Sequence, residues 1–144
     1  MRKLAMVTAL VATAALALSG CATERAGSGD TGGDTKGFAA DSTIGVALPD
    51  KTSENWVLAG KLFEDGLAEA GFKADVQYAP AGSSTVAEQQ NQINSMVTNG
   101  AKVIIIGAKD GAQLSSQVEA AKQAGAVVIA YDRLIVNTDA VDYY

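Results

Sequence analysis

Lys102-Val103-Ile104-Ile105-Ile106-Gly107 is the stretch of the 144-residue sequence that decides the fold. Its four consecutive β-branched residues have no polar interruption, which is typical of a strand that is covered on both faces. Strands of this kind belong to parallel sheets with helices on each side. The stretch therefore predicts an α/β domain, and the flanking sequence should supply the other strands and the helices that cover them.

The flanking residues do alternate between strand and helix patterns. Apolar runs predict strands, and apolar residues at helical spacing that stop at a glycine predict helices. The predicted strands are 44–48, 74–78, 102–106 and 127–131, with 141–144 as the start of a fifth; the predicted helices are 53–70 with Ser53 as N-cap, 85–99, and one that Asp110 opens and Gly125 ends. Short connections between these elements indicate a parallel sheet with right-handed crossovers.

The sequence stops as the predicted fifth strand begins, at residues 141–144. A strand covered on both faces needs a further helix, and none follows. We therefore expect the chain to be the front part of a longer protein. A short terminal strand that pairs at the edge of the sheet is the alternative.

The first twenty residues have the build of a lipoprotein signal peptide. Two basic residues precede an uncharged apolar run, 4–18, which is too short for a comfortable transmembrane span. Two small residues then lead into Cys21, the only cysteine, in an order that resembles the bacterial lipobox. We therefore expect lipidation of Cys21, removal of residues 1–20, and a flexible tether over residues 21–43. A plain signal peptide with an incidental cysteine is the alternative.

Composition excludes several classes of function. The net charge is −5 and would become about −7 without residues 1–20, which argues against nucleic acid as a partner. The sequence has no histidine, the commonest general base and a frequent zinc ligand, and we expect neither a metal nor a cofactor. Gly27-x-Gly29-x-x-Gly32 matches the dinucleotide-binding pattern by letter only, because no predicted strand precedes it and no predicted helix follows it.

The candidate site lies in the loops that follow the predicted strands. Ligands of open α/β sheets bind beyond the carboxyl ends of the strands. The loops there offer polar and aromatic side chains that suit a neutral polyol: Lys51, Asn55, Trp56, Asp110, Asp132 and Arg133. Carboxylates accept hydrogen bonds from sugar hydroxyls, cationic side chains donate to the same oxygens, and an indole covers the C–H face of a sugar ring.

Each candidate also has a purely structural interpretation. Trp56 shares a helix face with core residues, and Asp110 is well suited to capping the third helix. Asp132 and Arg133 would make an ordinary surface ion pair, and Lys51 an ordinary loop charge. The convergence of three loops at one edge of the sheet favours binding over these alternatives.

Several segments together resemble a known family. Ala130-Tyr131-Asp132-Arg133-Leu134-Ile135, followed by Val141-Asp142-Tyr143-Tyr144, resembles the periplasmic sugar-binding proteins of bacterial ABC transporters, and most of all the xylose-binding and multiple-monosaccharide-binding group. Ser53-Glu54-Asn55-Trp56 resembles the start of that group's first helix, and Gln89-Gln90-Asn91-Gln92-Ile93 resembles its second helix. The resemblance covers residues 44–144.

The resemblance implies a type I periplasmic binding protein with two Rossmann-like lobes, of which residues 44–144 would form most of the first. Such a protein closes about a hinge on a monosaccharide and delivers it to membrane permease subunits, without catalysis. The six candidate residues would then contact the sugar. Asn55 stands where close relatives often have arginine, so a neutral amide replaces a charged guanidinium.

Two other functions stay open on the sequence. A sensor of the same fold would present its sugar-bound state to a membrane receptor instead of a permease. An exported enzyme would use Asp50, Asp110 and Asp132, and would need their carboxylates within a few ångströms of one another. In all three cases we expect the folded part to face the outside of the cytoplasm, held at the membrane by its lipid.

Overall fold

The computed structural model describes residues 37–81 and 86–144. The predicted signal peptide, Cys21 and most of the predicted tether lie outside the described residues, as does the loop 82–85. Within the described ranges, no helix combines the length and the apolar character that crossing a membrane requires.

The described residues form parallel strands and helices in alternating order. The strands are β1 (Thr43–Leu48), β2 (Lys73–Tyr78), β3 (Val103–Ile106) and β4 (Val127–Ala130), and the helices are α1 (Glu54–Glu69), α2 (Ala87–Thr98) and α3 (Ser115–Gln123). The strands pair in the order β2-β1-β3-β4, and every pair is parallel. The α/β fold with a parallel sheet that the sequence predicted is confirmed.

Successive side chains of β3 enter two different cores. Ile104 and Ile106 pack on the face that α2 and α3 cover, whereas Val103 and Ile105 pack on the face that α1 covers. All four are at most 9% exposed. Because neighbouring side chains of a strand point to opposite faces, a strand covered on both sides needs an apolar residue at every position.

The helix ends follow the predicted signals with one difference. Each helix stops just before a glycine with positive φ, as predicted: Gly71, Gly100 and Gly125. Helix α1 begins directly after Ser53, whose backbone is extended as an N-cap requires. The Ser53 side chain, however, makes no capping hydrogen bond.

Two predicted elements differ from the structure. Asp110 does not open the third helix directly, because its side chain caps a 3₁₀ turn, Gly111–Gln113, and α3 begins only at Ser115. The predicted fifth strand is present as a single parallel bridge between Ile129 and Tyr143. The Ala130 N–H donates to the Tyr143 carbonyl across this bridge at 2.8 Å.

Asp142 fastens the carboxyl-terminal segment to β4. Its Oδ2 accepts a hydrogen bond from the Val128 N–H at 2.9 Å, and its Oδ1 pairs with the Lys122 ammonium of α3. The hydrogen bond from Lys122, followed by that from Val128, lowers the pKa of Asp142. One carboxylate thus joins the last residues to both a strand and a helix.

Candidate functional site

A cleft of about 290 Å³ lies between the start of α1 and the turn after β4. Four of the six predicted site residues line it: Asn55, Trp56, Asp132 and Arg133. They come together because β1 and β4 are parallel strands of one sheet, so the segments that follow them leave from the same edge. Their contact with a ligand stays a prediction.

Trp56 belongs both to the core beneath α1 and to the lining of this cleft. A Cβ atom on Gly107 would lie 2.8 Å from the indole, so the missing side chain at position 107 makes room for it. The Tyr131 ring stands edge-on to Trp56, with centroids 6.1 Å apart, and edge-on to Phe63, with centroids 5.2 Å apart. Packing therefore anchors the indole while it still borders the cleft, so its core role and a ligand role are compatible.

Backbone carbonyls hold Arg133. Its Nη1 donates to the carbonyl oxygens of Ala108 and Lys109, at 3.1 and 3.3 Å, and its guanidinium carbon lies 5.9 Å from the centre of the Trp56 ring. Its Nε is 3.8 Å from Oδ2 of Asp132, and both of these side chains are at least half exposed. An exposed pair of this kind stabilises the fold little. Because both side chains are exposed, a polar ligand can reach them.

Asp132 stands in the left-handed backbone region, with φ of 65°. Few side chains other than those of Asp and Asn adopt this region readily. The turn that follows β4 therefore restricts which residues fit at position 132, independently of what the carboxylate does.

Asp110 takes the capping role that the sequence left open. Its Oδ1 accepts from the Ala112 N–H at 2.9 Å, and its Oδ2 accepts from Nε2 of Gln113 at 2.6 Å. These hydrogen bonds, that of Gln113 first, lower the pKa of Asp110. Asp110 is not among the residues that line the cleft. Its neighbour Lys109 touches Arg133, so the loop of Asp110 adjoins the cleft.

Lys51 lies apart from the other predicted residues. Its Nζ sits 4.6 Å from the centre of the Tyr78 ring, and it is not among the residues that line the cleft. Lys109 is instead the lysine that meets a carboxylate at this edge, with its Nζ 3.7 Å from Oδ2 of Asp50. Hydrogen bonds from Thr52 and attraction to Lys109 lower the pKa of Asp50.

The acidic side chains that an enzyme of the carboxylate type would need have separate partners. Asp50 is engaged by Thr52 and Lys109, Asp110 caps its own turn, and Asp132 neighbours Arg133. Across residues 37–81 and 86–144, no group of three metal-ligating side chains comes together. The convergence that this alternative requires is therefore not seen in the described part of the chain.

Sequence reasoning missed Tyr131 and Gln89 among the residues of this region. Tyr131 lines the cleft and is 39% exposed, and the available signal was its position directly after β4. Gln89 is completely buried, and its amide hydrogen-bonds the loop that carries Lys109. A glutamine within a polar helix gives no sequence signal for burial, because its partners are backbone atoms far away in the chain.

A family model described as periplasmic binding protein domain matches residues 44–144. The chain belongs to the periplasmic binding protein family. The multiple sugar-binding periplasmic receptor ChvE of Rhizobium radiobacter is 45% identical to this family member over 108 residues, which are 74% of this chain and 30% of the receptor. The D-xylose-binding periplasmic protein of Escherichia coli K12 is 36% identical over 106 residues, 74% of this chain and 31% of that protein.

A solved structure agrees with these relatives. An ABC transporter solute binding protein from Clostridium phytofermentans, with β-D-glucose bound, matches with a TM-score of 0.66 and 42% identity. The match covers 70% of this chain and 31% of that one. The resemblance predicted for residues 44–144 is confirmed, and the fold is that of a periplasmic binding protein lobe. This periplasmic binding protein chain spans about 30% of the length of these relatives.

Proposed function

We propose that the chain is the first lobe of the substrate-binding component of an ABC sugar importer, which captures a xylose-like pentose or a hexose. The observation that carries the proposal is the cleft in which Trp56 and Asn55 face the same cavity as Asp132 and Arg133. An apolar indole beside a carboxylate, an amide and a guanidinium is the combination that a monosaccharide needs, because a sugar ring has an apolar face and a rim of hydroxyls.

The relatives support this choice of ligand. The protein from Rhizobium radiobacter is named as multiple sugar-binding and that from Escherichia coli as D-xylose-binding, and the solved structure holds β-D-glucose. The matched part of this chain covers only about 30% of each of them. We propose that a second lobe completes the site, and that sugar held by this lobe favours the closed state through its added contacts with the other.

Sugar binding by the full-length protein is the direct test. Isothermal titration calorimetry with a panel that includes D-xylose and D-glucose should give saturable binding of at least one sugar. Trp56→Leu should weaken that binding at least tenfold. Phe72→Leu is the matched control, since Phe72 packs in the same core but does not line the cleft, and it should leave the affinity unchanged. Failure of every monosaccharide to bind the parent would exclude the proposal.

A sugar sensor is the second candidate function, because the relative from Rhizobium radiobacter is named as a receptor. The two functions differ in the membrane partner of the sugar-bound state. Cross-linking in membranes, followed by mass spectrometry, should recover permease subunits if the protein is an importer component. Recovery of a signalling receptor alone would favour the sensor.

We also propose that the protein works outside the cytoplasm, anchored by a lipid on Cys21. The support is the order of the first twenty-one residues, which lie outside the described structure. Growth with a radiolabelled fatty acid should label the parent protein but not Cys21→Ala. Equal labelling of the two would disprove the anchor.

A further inference from the structure

Gln89 is the one buried polar side chain among residues 37–81 and 86–144, with no exposed surface. Its Nε2 donates to the Gly107 carbonyl at 2.9 Å and lies 3.4 Å from the Ala47 carbonyl, while its Oε1 accepts from the Lys109 N–H at 2.8 Å. A buried amide without partners would be costly, but this one has its donor and its acceptor satisfied. It ties α2 to the ends of two neighbouring strands.

Gln89 and Arg133 bind the same loop, residues 107–109. Gln89 binds the Gly107 carbonyl and the Lys109 N–H, and Arg133 binds the carbonyls of Ala108 and Lys109. Gln89 reaches these atoms from the buried side of the loop, since it is completely enclosed. Arg133 reaches them from the side of the cleft, which it lines.

Peptide geometry connects the two sets of hydrogen bonds. The Ala108 carbonyl and the Lys109 N–H belong to one planar trans peptide unit, so they point in opposite directions. When Oε1 of Gln89 accepts from the Lys109 N–H and so fixes it toward the core, the Ala108 carbonyl must point the opposite way. There it accepts a hydrogen bond from Nη1 of Arg133. Rotation of this one peptide unit would break both contacts.

We propose that Gln89 is a positioning residue for sugar binding: through the peptide between Ala108 and Lys109, it fixes the Arg133 guanidinium beside Trp56. This inference rests on the proposed sugar-binding function for its effect on affinity. The orientation of Arg133 by Gln89 is a claim about the protein without ligand, and it is tested separately.

The affinity test uses Gln89→Met, which has similar length but loses the amide, in the full-length protein. We expect its Kd for the tightest-binding sugar to rise at least tenfold. Ile93→Val is the matched control, because Ile93 is equally buried one turn further along α2 and has no hydrogen-bonding group; its Kd should stay within twofold of the parent. In an Arg133→Met background, Gln89→Met should raise the Kd less than threefold, since the guanidinium that Gln89 positions is already absent.

Equal losses in the two backgrounds, or a Kd for Gln89→Met within twofold of the parent, would overturn the proposal. Gln89→Glu keeps an acceptor for the Lys109 N–H, and its affinity should lie between those of the parent and Gln89→Met. If Gln89→Met does not fold, a loss below twofold in Gln89→Glu overturns the proposal instead.

A measurement without sugar separates this inference from the proposed function. The side-chain Nε–H resonance of Arg133 in nuclear magnetic resonance spectra should shift in Gln89→Met but not in Ile93→Val. If the parent binds no sugar and this shift occurs, the proposed function is wrong and the positioning of Arg133 by Gln89 stands. If the resonance does not move, the positioning itself is wrong.

Discussion

Asp132 combines a restricted backbone with a side chain that lines the cleft. Its φ of 65° lies in a region where most L-residues lose about 1–2 kcal/mol, whereas Asp and Asn are accommodated more readily. The residue type at this position therefore serves two purposes, the shape of the turn after β4 and the chemistry of the cleft. A substitution that keeps the shape of the turn but removes the carboxylate from the cleft separates the two purposes.

We expect Asp132→Asn to fold with nearly the stability of the parent, because Asn also adopts the left-handed region. Sugar affinity should fall about 10- to 100-fold, since a hydrogen bond to a charged group contributes about 1.5–3 kcal/mol. Urea unfolding and calorimetric titration measure the two quantities. Asp132→Ala is the comparison variant and should lose stability as well as affinity. Unchanged sugar affinity in Asp132→Asn would show that the carboxylate does not contribute to binding.

At the scale of elements, the contact between α1 and β2 depends on a glycine within the helix. The Tyr78 hydroxyl donates to the Trp56 carbonyl at 3.2 Å, and burial raises the pKa of Tyr78, so the hydroxyl keeps its proton. A Cβ atom on Gly60 would lie 1.8 Å from that hydroxyl oxygen. Gly66, in the same helix, has open space where its Cβ would be.

Replacing Gly60 and Gly66 with alanine should change the stability of the protein in opposite directions. Gly66→Ala should stabilise the protein by about 0.5–1 kcal/mol, because alanine is the better helix former. Gly60→Ala should destabilise it by about 1–3 kcal/mol, because the Tyr78 ring must move and lose its bond to Trp56. The midpoints of urea unfolding give both values. Stabilisation by Gly60→Ala would show that the Tyr78 ring moves without any loss of stability.

The sequence predicted the elements better than it predicted the contacts between them. The apolar run of β3 and the glycines after each helix are local signals, and the structure reproduces both. The edge of the sheet that carries the cleft also followed from the sequence, because parallel strands share one carboxyl edge. Arg133, by contrast, binds carbonyls 24 and 25 residues earlier in the chain, and local patterns contain no information about such backbone orientations.

For the molecule as a whole, Asp142 makes stability depend on pH. Its pKa is lower in the folded state than in the unfolded chain, because Lys122 and the Val128 N–H favour the carboxylate. Such a group contributes stability above its unfolded pKa, near 4, and that contribution disappears as the pH falls through the folded pKa. Acid should therefore weaken the attachment of the carboxyl-terminal segment to β4 and α3.

Asp142→Asn tests this contribution. At pH 7 we expect the variant to be about 1 kcal/mol less stable than the parent, since it loses a charge-assisted hydrogen bond. The difference should begin to shrink as the pH drops below about 4, the unfolded pKa, and should disappear once the pH has fallen through the lower pKa of the folded carboxylate. Urea unfolding across pH 2–7 measures it. A difference that does not change with pH would mean that packing, not charge, holds the segment.

The position of Trp56 also has an optical consequence. Trp56 is the only tryptophan of the sequence, and it borders the cleft that Arg133 and Tyr131 also line. Indole fluorescence responds to the polarity and the charges around the ring, and the indole emission of this chain comes from one known place. The lobe therefore carries its own unlabelled reporter, and a change in its emission colour or intensity would register what enters the cleft.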